Sequence, residues 1–296
     1  MYPASYHVHT TFCDGSVSPE EMVRAAIGQN MKAIGFSAHA AWPFATVWHL
    51  PVPRYAEYVA EIARLKTAYA DKVEILCGFE ADWIPGVSAP DRSVYAQFKP
   101  DYLIGSVHYV QPERTRMVPA RANGQRDGGA PSLLWSVDAG AEEVQTGLDA
   151  AFGGDGKKAV SAYYSAIRDM VRSCRFDIVG HLDLPRKRNG KLRFFDETAG
   201  WYRRELKETV REIAGANLVV ELNTGAIARK AMDAIYPSDE LLSLLRHAGV
   251  PVTLNSDAHA PGDLTCAYDR ALDALRRTGY RELSFLTETG WKAEKI

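Results

Sequence analysis

The chain has 296 residues, a length that admits one large domain or two small ones. With 46% hydrophobic and 24% charged residues it has the make-up of a soluble globular protein, and its net charge of −2 offers no general attraction to nucleic acid or to an acidic membrane surface. No apolar run approaches a membrane span, no secretory leader precedes the first strand, and the four cysteines are too scattered for a disulfide framework, all of which suits a reducing cytoplasm.

The first strand is predicted over 6–8 and leads through His7-Val8-His9 to Asp14 and Gly15. Side chains two apart on a strand share a face. His7 and His9 therefore stand side by side, placed either to share a metal ion or to cap nearby backbone. Ser18 before Pro19, with Glu21 three residues on, has the form of a capping box and opens a helix running to about residue 30. A strand over 32–37 ends at Ala38-His39-Ala40. The roughly 3.6-residue spacing of Tyr55, Val59, Ile62, Leu65 and Tyr69 predicts a helix over 55–70. The strand 73–79 ends at Glu80, and the strand 101–107 at His108.

Between 109 and about 156 the periodicity fails in a run rich in Gly, Arg, Pro and Ala that includes RANGQRDGG. This insertion is expected to act as a lid on a single domain spanning 1–296, with Trp135 and Asp138 as candidates to line a pocket. Beyond it, a helix over 160–173 precedes the strand 176–180, which ends at His181. A helix over 198–215 precedes the strand 217–222, which holds Glu221 and ends at Asn223. Ser238 caps a helix to 248. The strand 250–254 then runs into Asn255-Ser256-Asp257-Ala258-His259, and a final helix covers 264–278.

Seven short apolar strands alternating with helices imply a parallel sheet covered on both faces. No glycine-rich phosphate loop follows the first strand, and polar residues follow nearly every strand. A closed α/β barrel, with its site at the C-terminal ends of the strands, fits this better than an open doubly wound sheet. Six of the seven strands end in side chains able to hold a metal: His7, His9 and Asp14; His39; Glu80; His108; His181; Asp257 and His259. Six of the eight histidines stand there, while His49 and His247 are read as ordinary surface or core residues. Mixed imidazole and carboxylate ligands favour Zn, Mn or Fe over Ca or Mg.

The stretches HVHTTFCDG, SAHA, GFEADW, GSVH, DIVGHLD and NSDAH resemble, in order, the motifs of the PHP (polymerase and histidinol phosphatase) superfamily, over nearly the whole chain. GSVH, FGGDGKKAVSAYYSAIRDM, HLDL, and ELNTGAIARK followed by YPS look most like its histidinol-phosphate phosphatase branch. The resemblance implies a distorted (β/α)7 barrel with parallel strands and a trinuclear metal site at the C-terminal rim. It places His7, His9, Glu80 and Asp257 around one ion. Glu80 would bridge to a second ion held by His108 and His181, and Asp14, His39 and His259 would hold a third. One departure stands out: the usual acid before the histidine of the second motif is Ala38 here, which removes a partner for His39 and bears on filling of the third site.

Phosphate-monoester hydrolysis is among the slowest uncatalysed reactions, and a metal pair can both activate water and clamp the phosphoryl oxygens. No serine or cysteine has an evident activating partner. The expectation is therefore a phosphomonoesterase acting on L-histidinol phosphate by direct attack of a metal-bound hydroxide, with Glu80, Asp257 and His259 as its catalytic set. Arg229, which resembles the family's basic residue at that place, and Arg186 are candidates for phosphate, since guanidinium forks match its oxygens. Asp183 would orient His181 or the substrate's amine, and Glu221 and Asn223 would hydrogen-bond ligands or substrate. Two alternatives stay open. One is a phosphodiesterase or nuclease of the same superfamily, against which the acidic balance and the lack of a basic or aromatic track speak. The other is a barrel that holds metal and catalyses nothing.

Overall fold

The structure, a computed structural model, describes residues 3–43, 46–112 and 134–296. Its strands, in chain order, are β1 (Ala4–Ser5), β2 (Ala33–His39), β3 (Glu74–Asp82), β4 (Tyr102–Ser106), β5 (Tyr109–Val110), β6 (Trp135–Ser136), β7 (Ile178–Val179), β8 (Val219–Asn223), β9 (Val252–Asn255), β10 (Glu282–Thr287) and β11 (Gly290–Lys295). Its helices are α1 (Pro19–Gly28), α2 (Tyr55–Ala68), α3 (Arg92–Tyr95), α4 (Ala141–Phe152), α5 (Gly156–Ser173), α6 (Arg186–Leu192), α7 (Gly200–Gly215), α8 (Gly225–Ala228), α9 (Asp239–His247) and α10 (Tyr268–Thr278).

Seven strands form one parallel sheet in the order β1-β2-β3-β4-β7-β8-β9. Its two edges meet where Val8 bridges Ala258, with His9 N donating to Ala258 O (2.8 Å) and Ala258 N to His7 O (3.1 Å). The sheet thus curls into the expected (β/α)7 barrel. Every residue of β2 is buried, as two covered faces require. Tyr102 fills the interior where Gly35 and Gly78 leave room for its ring: a Cβ on Gly78 would stand 2.5 Å from Tyr102 Cζ. Its hydroxyl donates to Tyr6 O (2.6 Å) and Phe36 O (2.9 Å), tying β4 across the barrel to the first two strands.

The capping box at Ser18 and Glu21 is formed, with Glu21 N donating to Ser18 Oγ and Ser18 N to Glu21 Oε2. Several elements differ from expectation. The first strand is the pair Ala4–Ser5. At residues 7–9 the backbone bonds divide between Ser37 and Ala258, so no continuous ladder runs there. The insertion is not patternless: β5 pairs with β6, and α4 follows, burying Val144 and Leu148 four residues apart. The stretch RANGQRDGG lies outside the described residues. Asp155 caps α5 four residues earlier than expected. Helix α6 and the β10–β11 hairpin were not foreseen. The hairpin buries Leu283 and Phe285 and bonds the Tyr6 hydroxyl through Leu286. No helix of the described residues is long and apolar enough to cross a membrane.

Candidate metal centre

The C-terminal ends of the strands converge on one buried cluster. After His9 the chain makes a tight turn that closes at Gly15, where a Cβ would lie 2.4 Å from the His9 carbonyl carbon. That turn returns Asp14 to the imidazoles of His9 (3.7 Å), His39 (3.7 Å) and His259 (3.3 Å). The His9 ring lies 4.3 Å from each of the rings of His39 and His259. On β3, Glu80 reaches the centre of the cluster. Its Oε2 lies 3.1 Å from His7 Nε2, 2.8 Å from His39 Nδ1 and 3.6 Å from His9 Nε2. Its Oε1 lies 3.0 Å from His181 Nε2 and 3.6 Å from His108 Nε2, and accepts a bond from Ser106 Oγ.

Three of these atoms, His7 Nε2, His9 Nε2 and Glu80 Oε2, are buried with no hydrogen bond; the close imidazoles miss hydrogen-bond alignment. Two imidazole nitrogens and a carboxylate oxygen crowd one point without a hydrogen bond, and an unpaired buried polar atom is costly. A cation answers them. Ligand atoms about 2.1 Å from a tetrahedral ion stand about 3.4 Å apart. The separations here are of that order, and four overlapping groups have all their ligand atoms within 4.8 Å of one another. These are His7, His9 and Glu80; Glu80, His108 and His181; His7, His181 and Asp257; and His9, Asp14, His39 and His259. Burial and the neighbouring imidazoles of His39 and His259 hold His9 down at about 3, so it is neutral, the form that ligates. Burial pushes the Glu80 carboxyl up, but His7, His39, His108 and His181 outweigh it and keep the group ionised.

Carboxylates stand behind the imidazoles. Glu221 Oε2 receives His7 Nδ1 at 2.9 Å, fixing that ring's tautomer with Nε2 turned to the cluster. Asp82 Oδ1 holds His108 Nδ1 at 2.7 Å in the same way. Asp257 sits in the left-handed region (φ 51°), and Arg229 clasps it through its carbonyl and Oδ2, both at 2.7 Å. Above the cluster opens a cavity of about 450 Å³. Its lining includes Asp14, His39, Glu80, Asp257 and Arg229, together with Tyr109, Asp138, Glu143, Lys187 and Tyr236.

A model of the PHP domain family matches residues 5–225. The chain belongs to the PHP domain family. A Deinococcus radiodurans protein named a probable histidinol-phosphatase is 29% identical over 282 residues, spanning 94% of this chain and 95% of that one. A solved chain from Listeria monocytogenes superimposes with a TM-score of 0.73 at 19% identity, covering 90% of this PHP chain and 99% of its own length. A Lactococcus lactis histidinol phosphate phosphatase, solved with Zn, L-histidinol and phosphate, gives 0.65 at 20% identity, covering 98% and 99%. These structures share the fold.

The structure of this PHP chain gathers all nine side chains expected as ligands, with His9 also in reach of the Asp14, His39 and His259 group. Of the expected phosphate and substrate groups, Arg229 lines the cavity, but Arg186 and Asp183 do not. Arg186 turns to Glu197 (2.8 Å) and Asp183 (3.6 Å). Asp183 is fully buried and accepts the hydroxyls of Tyr164 (2.7 Å) and Tyr202 (2.5 Å), so it fastens the turn after β7 to α5 and α7. Trp135 also stays out of the cavity: it packs on Phe152 and Phe194 and donates to Val144 O. His247 is exposed, as expected, but His49 stacks on Trp48 and stands 3.9 Å from Asp82. Asp82, Lys187 and Tyr236 were missed. Asp82 was available from the alternation of the strand, two residues past Glu80 on the same face.

Proposed function

We propose that this chain is a metal-dependent phosphomonoesterase that hydrolyses L-histidinol phosphate to L-histidinol and phosphate. The observation that carries the reading is the convergence of His7 Nε2, His9 Nε2 and Glu80 Oε2, buried and unbonded, next to a ligand-sized cavity that Glu80 itself lines. The overlapping ligand groups suit three divalent ions of the Zn, Mn or Fe kind, with Glu80 shared between two of them. The substrate follows from the names of the relatives and from the L-histidinol and phosphate held by the Lactococcus lactis enzyme.

Bound divalent ions would supply a nucleophile from water at neutral pH and offset charge on the phosphoryl oxygens. The protein's share is positional. Glu221 and Asp82 aim His7 and His108, and Asp257 serves at once as a ligand and as the anchor for Arg229. That anchor fixes the guanidinium beside the cluster, where it can pair with phosphate oxygens. His259, its side chain 22% exposed, stands at the rim with Nε2 facing Asp14, and its Nδ1 lies 3.0 Å from the Asp257 carbonyl, a bond that leaves Nε2 free to ligate. The described parts of the insertion contribute Tyr109, Asp138 and Glu143 to the wall of the cavity.

The test is phosphate release from L-histidinol phosphate, with Zn, Mn and Fe supplied separately and a single-stranded oligonucleotide as competitor substrate. The reading requires turnover of the monoester that a chelator abolishes. Cleavage of the oligonucleotide with no release from the monoester, or metal loading with no turnover of either, would refute it.

A further inference from the structure

The cavity lining carries charges of both signs. Beside the candidate metal ligands and Arg229 it holds two further carboxylates, Asp138 and Glu143, and the single ammonium of Lys187. Lys187 is already engaged: its side chain is 9% exposed and Nζ lies 3.0 Å from Asp138 Oδ2. Asp138 Oδ1 has no hydrogen bond among the described residues, and the side chain is 31% exposed. Tyr236 is 1% exposed and borders the cavity, yet its hydroxyl has no partner among the described residues. A hydroxyl buried without a partner is costly unless something that enters the cavity pairs with it. Burial holds that phenol protonated, well above its usual range, and the charges of Asp138 and Arg229 both reach it. The cavity therefore offers partners for an anion, for a cation and for a hydrogen-bonding group.

We propose that Asp138, steadied by Lys187 and flanked by Glu143 and the Tyr236 hydroxyl, is the specificity determinant that binds the ammonium of an amino-alcohol phosphate. This rests on the phosphomonoesterase reading and adds to it the group that selects the alcohol portion. Lys187 closes one carboxylate oxygen and leaves the other for the substrate. The amine then sets the distance and direction at which the phosphate meets the ligand cluster. Arg229 and Asp138, of opposite charge and lining one cavity, make it select for both charges in one molecule. A neutral alcohol phosphate leaves Asp138 unanswered, and sites with unpaired polar groups reject such analogues.

The experiment compares kcat/KM for L-histidinol phosphate and for its des-amino analogue, 3-(imidazol-4-yl)propyl phosphate, using the metal-loaded full chain. The wild type should prefer the amine by about 10- to 100-fold, the range for a charge-assisted hydrogen bond, and Asp138→Asn should bring the ratio close to one. Glu143→Gln should cut it less. Direct titration with L-histidinol supplies a second readout, its Kd rising in Asp138→Asn by a similar factor. A purely structural role for Asp138 lowers both esters together, keeps their ratio and overturns the proposal. Should Asp138→Asn fail to fold, the wild-type ratio and Glu143→Gln decide: a wild-type ratio near one overturns it. Equal turnover of both esters leaves the phosphatase reading standing and this proposal fallen, whereas turnover of neither removes both.

Discussion

Glu221 offers the sharpest test of how the ligand cluster is held. Its two oxygens, fully buried, meet four donors: His7 Nδ1 (2.9 Å) and Asn255 Nδ2 (2.9 Å) on Oε2, and the His181 backbone N–H (2.5 Å) and Asn223 Nδ2 (2.8 Å) on Oε1. Glu221→Gln keeps the volume, so no cavity term enters. An amide has one oxygen, however, and whichever way it turns, its NH2 faces two donors. Two orphaned buried donors at about 1–3 kcal/mol each give a loss of about 2–6 kcal/mol in the metal-free protein. Loss of the carboxylate behind His7 should weaken metal affinity by about 10- to 100-fold as well. The first effect is read from the urea midpoint of the chelated protein, the second from zinc competition against a chromophoric chelator. A variant that binds zinc within twofold of wild type and unfolds at the same urea concentration would show that Glu221 does not orient the ligands.

Three further outcomes follow. Glu80→Ala removes the side chain common to two ligand groups; metal content by elemental analysis should fall, and phosphate release should drop by at least about a thousandfold, the scale of losing a central electrostatic element. Retained activity would mean that Glu80 is not shared. Gly78→Ala sets a methyl against the Tyr102 ring inside the barrel; a loss of about 1–3 kcal/mol is expected from chemical denaturation, and an unchanged midpoint would mean the ring has room to move. Ser18→Ala removes the capping side chain of α1, which does not line the cavity; a loss of about 1 kcal/mol with unaltered turnover is expected, and lost turnover would tie that cap to the site.

The ligands were legible because strands carry direction in their sequence. Once His7 is an inward residue, so is His9. Once Glu80 is inward, so is Asp82, in a strand that has no other reading. The ladder registers then bring Glu80 opposite His39 and Asn223 opposite Asn255 with no help from the side chains. The role of Glu221 was harder to read. Its alternation marked it as inward, but its partner His7 lies 214 residues away, and only closure of the barrel joins them.

The cations facing the cavity were a different case. Arg186 and Lys187 are neighbours on α6, about 100° apart around the axis, and one pairs with Glu197 while the other reaches Asp138. Choosing between them from sequence needs the rotational phase of the helix, which an apolar stripe normally supplies. The seven residues RKRNGKL carry no such stripe: apart from Leu192 they are polar or glycine, and the buried one is Asn189. What sets the phase lies outside the helix, in the turn at Asp183. There a left-handed residue (φ 83°), its carboxylate fixed by Tyr164, Tyr202 and the Ser238 N–H, aims the chain that follows. An aspartate expected at the substrate thus acts one step back from it, by deciding which of two basic neighbours faces the cavity.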